Sequence, residues 1–202
     1  MKVALIGASG KVGTRILKEL TDRGHSVTAI ARNPEAVPAM PNVTPKKGDI
    51  ANRGELAALC KGHDAVISSV RFLGLDAEAL IEAVRASGVK RYLVVGGAAS
   101  LEVAPGVTLF STPKFPEAAR PEAAAGIAFL DRLRQEKELD WTFLSPSALF
   151  VPGERTGKFR IGKDQLLTGE KGSTVSYEDY SIALVDELEK PAHSRQRLTV
   201  GY

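Results

Sequence analysis

A short strand that ends in glycine and turns at once into a helix constrains this chain more than any other segment. Met1 to Ile6 is an apolar run of the kind that forms a buried parallel strand. Gly7-Ala8-Ser9-Gly10-Lys11-Val12-Gly13 follows, and from Lys11 to Leu20 the apolar positions Val12, Ile16, Leu17 and Leu20 share one helical face. The first amides of a helix lack intrahelical acceptors, and the helix dipole adds about half a positive charge there. Glycines let the backbone turn sharply and let an anion approach without meeting a Cβ. In doubly wound folds this strand–turn–helix unit receives a dinucleotide pyrophosphate. Gly7, Ala8, Ser9, Gly10, Lys11 and Val12 are therefore the expected cradle.

The spacing narrows the reading. Gly7, Gly10 and Gly13 give G-x-x-G-x-x-G, not G-x-G-x-x-G. A P-loop is excluded, because Val12 follows Lys11 and no glycine lies five residues before Gly10. The second strand, Ser26 to Ala31, ends at Arg32-Asn33-Pro34. A site that prefers NAD carries an acidic residue here for the ribose 2′-hydroxyl. This chain carries Arg32, whose guanidinium suits a 2′-phosphate through paired charge-assisted hydrogen bonds. NADP, with NADPH preferred over NADH, is the expected cofactor.

Strand and helix patterns then alternate, which predicts an α/β fold with a doubly wound parallel sheet covered on both faces. Strands are expected at 43–47, 65–70, 91–95, 141–144 and 197–200. Helices are expected at 53–61, after an Asp76 cap, at 121–136, and after a Ser176-Tyr177-Glu178-Asp179 capping box. Residues 101–116 read as irregular, and the basic stretch 155–171 as a solvated loop or hairpin. One domain over 1–202 accounts for the length, with a small C-terminal extension on the substrate side.

In open α/β sheets, ligands lie beyond the carboxyl ends of the strands. That rule adds Asp49, Ile50, Ser68, Ser69, Val70, Gly96, Gly97 and Pro146 to the cofactor residues. Adenine is expected near Asp49-Ile50, and nicotinamide near Ser69-Val70 and Gly96. Asp49 reads equally as an Asx turn.

Composition excludes more than it assigns. Lys and Arg number 27 against 24 Asp and Glu, a net charge of +3, too slight to argue for nucleic acid. No apolar run reaches bilayer length, so no membrane role and a cytoplasmic location are expected. Cys60 has no partner for a disulfide and reads as a small core residue. His25, His63 and His193 read as surface or turn residues with no metal-ligand spacing.

Gly-Ala-Ser-Gly-Lys-Val-Gly, Ala-Arg-Asn-Pro, Gly-Asp-Ile and Val-Val-Gly-Gly-Ala-Ala-Ser-Leu together resemble the atypical short-chain dehydrogenase/reductases. Within them the chain is similar to the small NmrA-like group described as NADH-flavin reductases (YwnB-like proteins), along essentially its whole length. It is more distantly similar to the biliverdin-IXβ/flavin reductases. The resemblance implies NAD(P)H binding and points loosely to reduction of a small-molecule acceptor.

One departure shapes the chemistry. Ordinary members use a tyrosine with a lysine four residues later, yet Tyr92, Tyr177, Tyr180 and Tyr202 all lack it. Reduction of a flavin (FMN or FAD) or a quinone does not need that pair, because water can protonate the delocalised anion. Phe110, Phe115 and Ser100 are the candidate substrate contacts, and ordinary loop packing is the competing reading for each. A non-catalytic NADP(H) sensor of the NmrA type is the alternative function. An epimerase or dehydratase is the third, and no catalytic base is identifiable for it.

Overall fold

The computed structural model describes residues 1–202. Twelve strands and five helices follow along the chain. The first half holds β1 (Lys2–Ile6), α1 (Lys11–Asp22), β2 (Ser26–Ala31), β3 (Val43–Lys47), α2 (Arg53–Cys60), β4 (Ala65–Ser68), α3 (Ala77–Ala86) and β5 (Arg91–Val95). The second half holds β6 (Glu102–Ala104), β7 (Val107–Thr108), α4 (Arg120–Arg134), β8 (Asp140–Pro146), β9 (Leu149–Val151), β10 (Arg160–Gly162), β11 (Thr174–Ser176), α5 (Tyr177–Glu189) and β12 (Gln196–Gly201).

Eight strands form the central sheet in the order β10-β12-β8-β5-β4-β1-β2-β3. All pairs are parallel except β10 with β12. Strand alternation sends successive side chains to opposite faces, so the chain builds two cores. On one face, Ile16, Leu17 and Leu20 of α1 and Leu184, Val185 and Leu188 of α5 cover Val3, Leu5 and Ile67. On the other, Leu56 of α2, Leu80 and Val84 of α3 and Phe129 of α4 cover Ala4, Val66, Tyr92 and Phe143.

Three sequence expectations need correction. The stretch 155–171 is not only a solvated loop: β10 adds an antiparallel edge to the main sheet, which is therefore mixed. Residues 101–116 are not wholly irregular, since β6 and β7 form a small antiparallel hairpin. His25 is no surface residue: it is 6% exposed, with Nδ1 3.2 Å from the Met1 amino group and Nε2 2.8 Å from Glu189.

Both margins of the sheet are modified. β3 carries Pro45-Lys46-Lys47 along one edge, and β10 at the other is three residues long. No helix is long and apolar enough to cross a membrane.

Candidate functional site

β1 lies between β2 and β4, so chain connections leave it in opposite directions across the sheet. Such a switch point opens a crevice above the strand ends. Here it is a groove of about 910 Å³, lined by Ile6, Gly7, Ser9 and Gly10, by Ala31 to Asn33, by Gly48 to Ala51, and by the loop after β4.

The floor of the groove is fixed by glycine. Gly7 sits at φ +84°, and a Cβ there would lie 2.1 Å from the Ser69 carbonyl oxygen. A Cβ on Gly13 would lie 2.1 Å from the Gly7 carbonyl oxygen, so α1 seats directly on the turn. Gly10 caps α1 in an extended conformation without any side-chain hydrogen bond, and the first turn holds no acidic residue. The Gly10 amide is used by Gly7, but those of Lys11, Val12 and Gly13 find no acceptor in the protein. Unpaired, dipole-assisted donors at a groove fit a phosphate. Ala8 is buried and Val12 half-buried, so both act through backbone and packing.

Arg32, at the end of β2, lines the groove and makes no ion pair or side-chain hydrogen bond. Asp49 lines it too, but its Oδ1 accepts the Ala51 amide at 2.9 Å, the Asx-turn geometry. Ile50 rests against the core beneath. Ser69 and Val70 form the wall above Gly7, with a Val70 methyl 3.2 Å from where a Gly7 Cβ would be.

The remaining expected cofactor residues do not line this groove. Ser68 points its side chain into the core, where its Oγ is 2.9 Å from the Tyr92 hydroxyl. Gly96, Gly97 and Pro146 sit farther along the carboxyl edge, at the ends of β5 and β8. Gly96 is tightly constrained, because a Cβ would come within 2.2 Å of the Phe143 ring. The groove thus brings together the residues expected at the pyrophosphate and adenosine and leaves Gly96, Gly97 and Pro146 to a separate stretch of the same edge.

The expected substrate residues have partners of their own. The Ser100 Oγ accepts from Arg197 at 3.1 Å, and Arg197 also donates to Asp164 at 2.8 Å. Phe110 and Phe115 pack at 5.3 Å and share the Arg120 guanidinium, 5.1 Å and 5.6 Å from their ring centres.

No tyrosine takes the place of the missing pair. The Tyr92 and Tyr180 phenols are fully buried, which pushes both above their ordinary range, and Tyr180 donates to the Leu144 carbonyl at 2.6 Å. Burial likewise pushes the Cys60 thiol up to about 12, which leaves it inert.

Sequence reasoning missed the loop after β4. Arg71, Leu73, Gly74 and Leu75 complete the groove wall, and Leu73 is exposed there. Glu122 of α4 pins this loop, accepting the amides of Phe72 at 2.7 Å and Leu73 at 3.0 Å. No local pattern in Arg71-Phe72-Leu73-Gly74 marks this loop, because the carboxylate that holds it comes from α4.

A family model described as NAD(P)H-binding matches residues 7–191. The uncharacterized protein YwnB of Bacillus subtilis is 43% identical over 212 aligned residues, covering 99% of this chain and 98% of YwnB. A candidate epimerase from Bacteroides thetaiotaomicron is 42% identical and superposes with a TM-score of 0.95, over 100% of this chain and 96% of that one. A candidate NADH-flavin reductase from Streptococcus pneumoniae is 39% identical, with a TM-score of 0.86 over 100% and 99%. A match running from the first glycine of the cradle to the end of α5 places the chain in the NAD(P)H-binding family, as a member of the atypical short-chain dehydrogenase/reductase group with NmrA-like and YwnB-like proteins.

Proposed function

We propose that this protein is an NADPH-dependent reductase of a flat, electron-poor acceptor, a flavin such as FMN or FAD or a quinone. The observation that carries the reading is the unpaired Arg32 in the same groove as the uncapped start of α1. The cradle amides would hold the pyrophosphate, and Arg32 the 2′-phosphate. Bound NADPH would supply a hydride, and solvent the proton that completes a two-electron reduction. The chain's own task is then to align the two rings, not to transfer a proton.

Acceptor binding is assigned to the segment after β5, where the Phe110–Phe115 pair offers aromatic surface. Ser100 serves there as an anchor for Arg197 and not as a free donor. The Streptococcus relative supports this reading through its name, whereas the Bacteroides relative's name points to an epimerase. Epimerisation needs a group that removes and returns a proton. Tyr92, Tyr177, Tyr180 and Tyr202 all lack the lysine four residues on that would make a phenol such a group.

Mixing purified protein with NADPH and FMN or a quinone tests the proposal. Catalytic NADPH consumption is expected; tight binding without turnover would instead favour a cofactor sensor. Arg32→Asp should weaken NADPH binding by about tenfold to a hundredfold, the worth of lost charged hydrogen bonds, and leave NADH nearly unaffected. Equal losses for both nucleotides would remove Arg32 from phosphate recognition.

A further inference from the structure

The groove is lined by two arginines, and its second has no assigned role. Arg71 follows β4 on the wall opposite Arg32. Its side chain is 80% exposed, and its nearest anion is Glu122, with Nε 3.5 Å from Oε2. That carboxylate is already committed: Oε1 accepts from the Phe72 amide, and Oε2 from the Leu73 amide. A carboxylate so engaged holds the loop firmly but holds the guanidinium weakly, since a long, exposed ion pair is readily exchanged. Phe72 anchors the loop from below. Its ring packs 5.1 Å from Phe129, and a Cβ on Gly126 of α4 would lie 3.0 Å from it.

The backbone at Arg71 is therefore fixed while its charged end is free to change partner. Asp49 is the only carboxylate lining the groove, and one of its oxygens is used by Ala51. The groove thus presents two cations against one partly engaged anion, together with the free amides of Lys11, Val12 and Gly13.

We infer that Arg71 is a second phosphate-binding residue of this groove, carried on a loop whose next two amides Glu122 accepts. The inference rests on dinucleotide binding as proposed above. Arg71 would leave its long contact with Glu122 and donate to a phosphate of the bound dinucleotide, either the 2′-phosphate beside Arg32 or the pyrophosphate over Gly7 to Gly10. Both have the same chemistry, that of a dianionic or monoanionic phosphate facing a forked donor.

Titration of the full chain with NADP⁺ and with NAD⁺, for wild type, Arg71→Gln and Arg71→Lys, decides the matter. Arg71→Gln should weaken NADP⁺ binding about tenfold. A loss confined to NADP⁺ assigns the 2′-phosphate, and a matching loss on NAD⁺ assigns the pyrophosphate. Arg71→Lys should recover part of the affinity. Rising salt should shrink the gap between wild type and Arg71→Gln, a response that a packing defect would not give. The melting temperature should not move, because the side chain is largely in solvent. Wild type that binds, with Arg71→Gln within about twofold of it for both nucleotides, would overturn the role of Arg71. Wild type that binds neither nucleotide would instead overturn the dinucleotide reading on which it rests.

Discussion

Two helices begin at the same edge of the sheet, and their first turns are built in opposite ways. At α5, Ser176 Oγ accepts the Asp179 amide at 2.9 Å, and the first turn carries Glu178 and Asp179. Asp179 is fully buried and accepts from the Thr156 and Gly157 amides at 2.8 Å each and from the Tyr202 hydroxyl at 2.8 Å. Glu178 takes the Gly153 amide at 2.9 Å and the Arg15 guanidinium at 3.1 Å. At α1 there is a glycine cap, no carboxylate and three amides without acceptors. One helix start is closed by the protein's own acids, and the other leaves the same electrostatic demand for a ligand. The contrast supports the proposed anion site more sharply than the glycine pattern alone.

The largest expected effect comes from disturbing the turn itself. Gly7→Ala should cost about 2–5 kcal/mol, combining a left-handed backbone with a clash against the Ser69 carbonyl. Gly62→Ala is the control, since Gly62 shares the positive φ but has nothing within 4 Å, and it should cost only about 1–2 kcal/mol. Urea unfolding of the pair checks the difference; equal losses would mean that the Ser69 contact contributes nothing.

Making α1 resemble α5 is the sharper test. Gly10 has φ −73° and ψ 167°, allowed for any residue, and a Cβ there meets the Gly7 oxygen at 3.3 Å and the Ser69 oxygen at 4.0 Å. Gly10→Asp should leave stability within about 0.5 kcal/mol, because aspartate caps helices slightly better than glycine. It should also reduce NADPH affinity about a hundredfold or more by placing a carboxylate where the pyrophosphate belongs. Retained affinity would break the comparison between the two helix starts.

Acid should act on the paired carboxylates of α5 and of the later turns of α1, and not on the glycine turn. Burial alone would raise the carboxyl of Glu178, but the Gly153 amide and Arg15 outweigh it and hold it below the ordinary 4.5. Glu19 is buried as well, and Arg155 and Arg23 hold it low. A carboxylate depressed in the folded state stabilises above its unfolded value, and that contribution fades as pH falls through the folded value. Stability should therefore decline below about pH 4.5, by about 1 kcal/mol or less per carboxylate. Glu178→Gln should flatten that decline in urea melts across pH, and an unchanged slope would assign the acid sensitivity elsewhere.

Much of this was legible in the sequence. The run Lys2–Ile6, the pattern of α1 and the strands Ser26–Ala31, Val43–Lys47 and Arg91–Val95 follow from local periodicity, which backbone geometry imposes within a few residues. The tight glycine turn was legible because turn, glycines and helix start lie within seven consecutive residues. What escaped depends on distant partners. Glu122 reaches amides about fifty positions away, and β10 exists only because β12 offers it a ladder. Ser68 illustrates a finer failure: its place at a strand end was right, but pleat parity turned its hydroxyl toward Tyr92. His25 was hidden in the same way, since its acceptor Glu189 lies at the far end of the chain.

The treatment of the sheet margins has a consequence for how the molecule behaves in company. Proline and paired lysines on β3, and the brevity of β10, deny any neighbouring chain a long register of free backbone donors. Concentrated solutions should accordingly resist strand-by-strand fibril growth, and replacing Pro45 with valine is the change that would most expose a template for it.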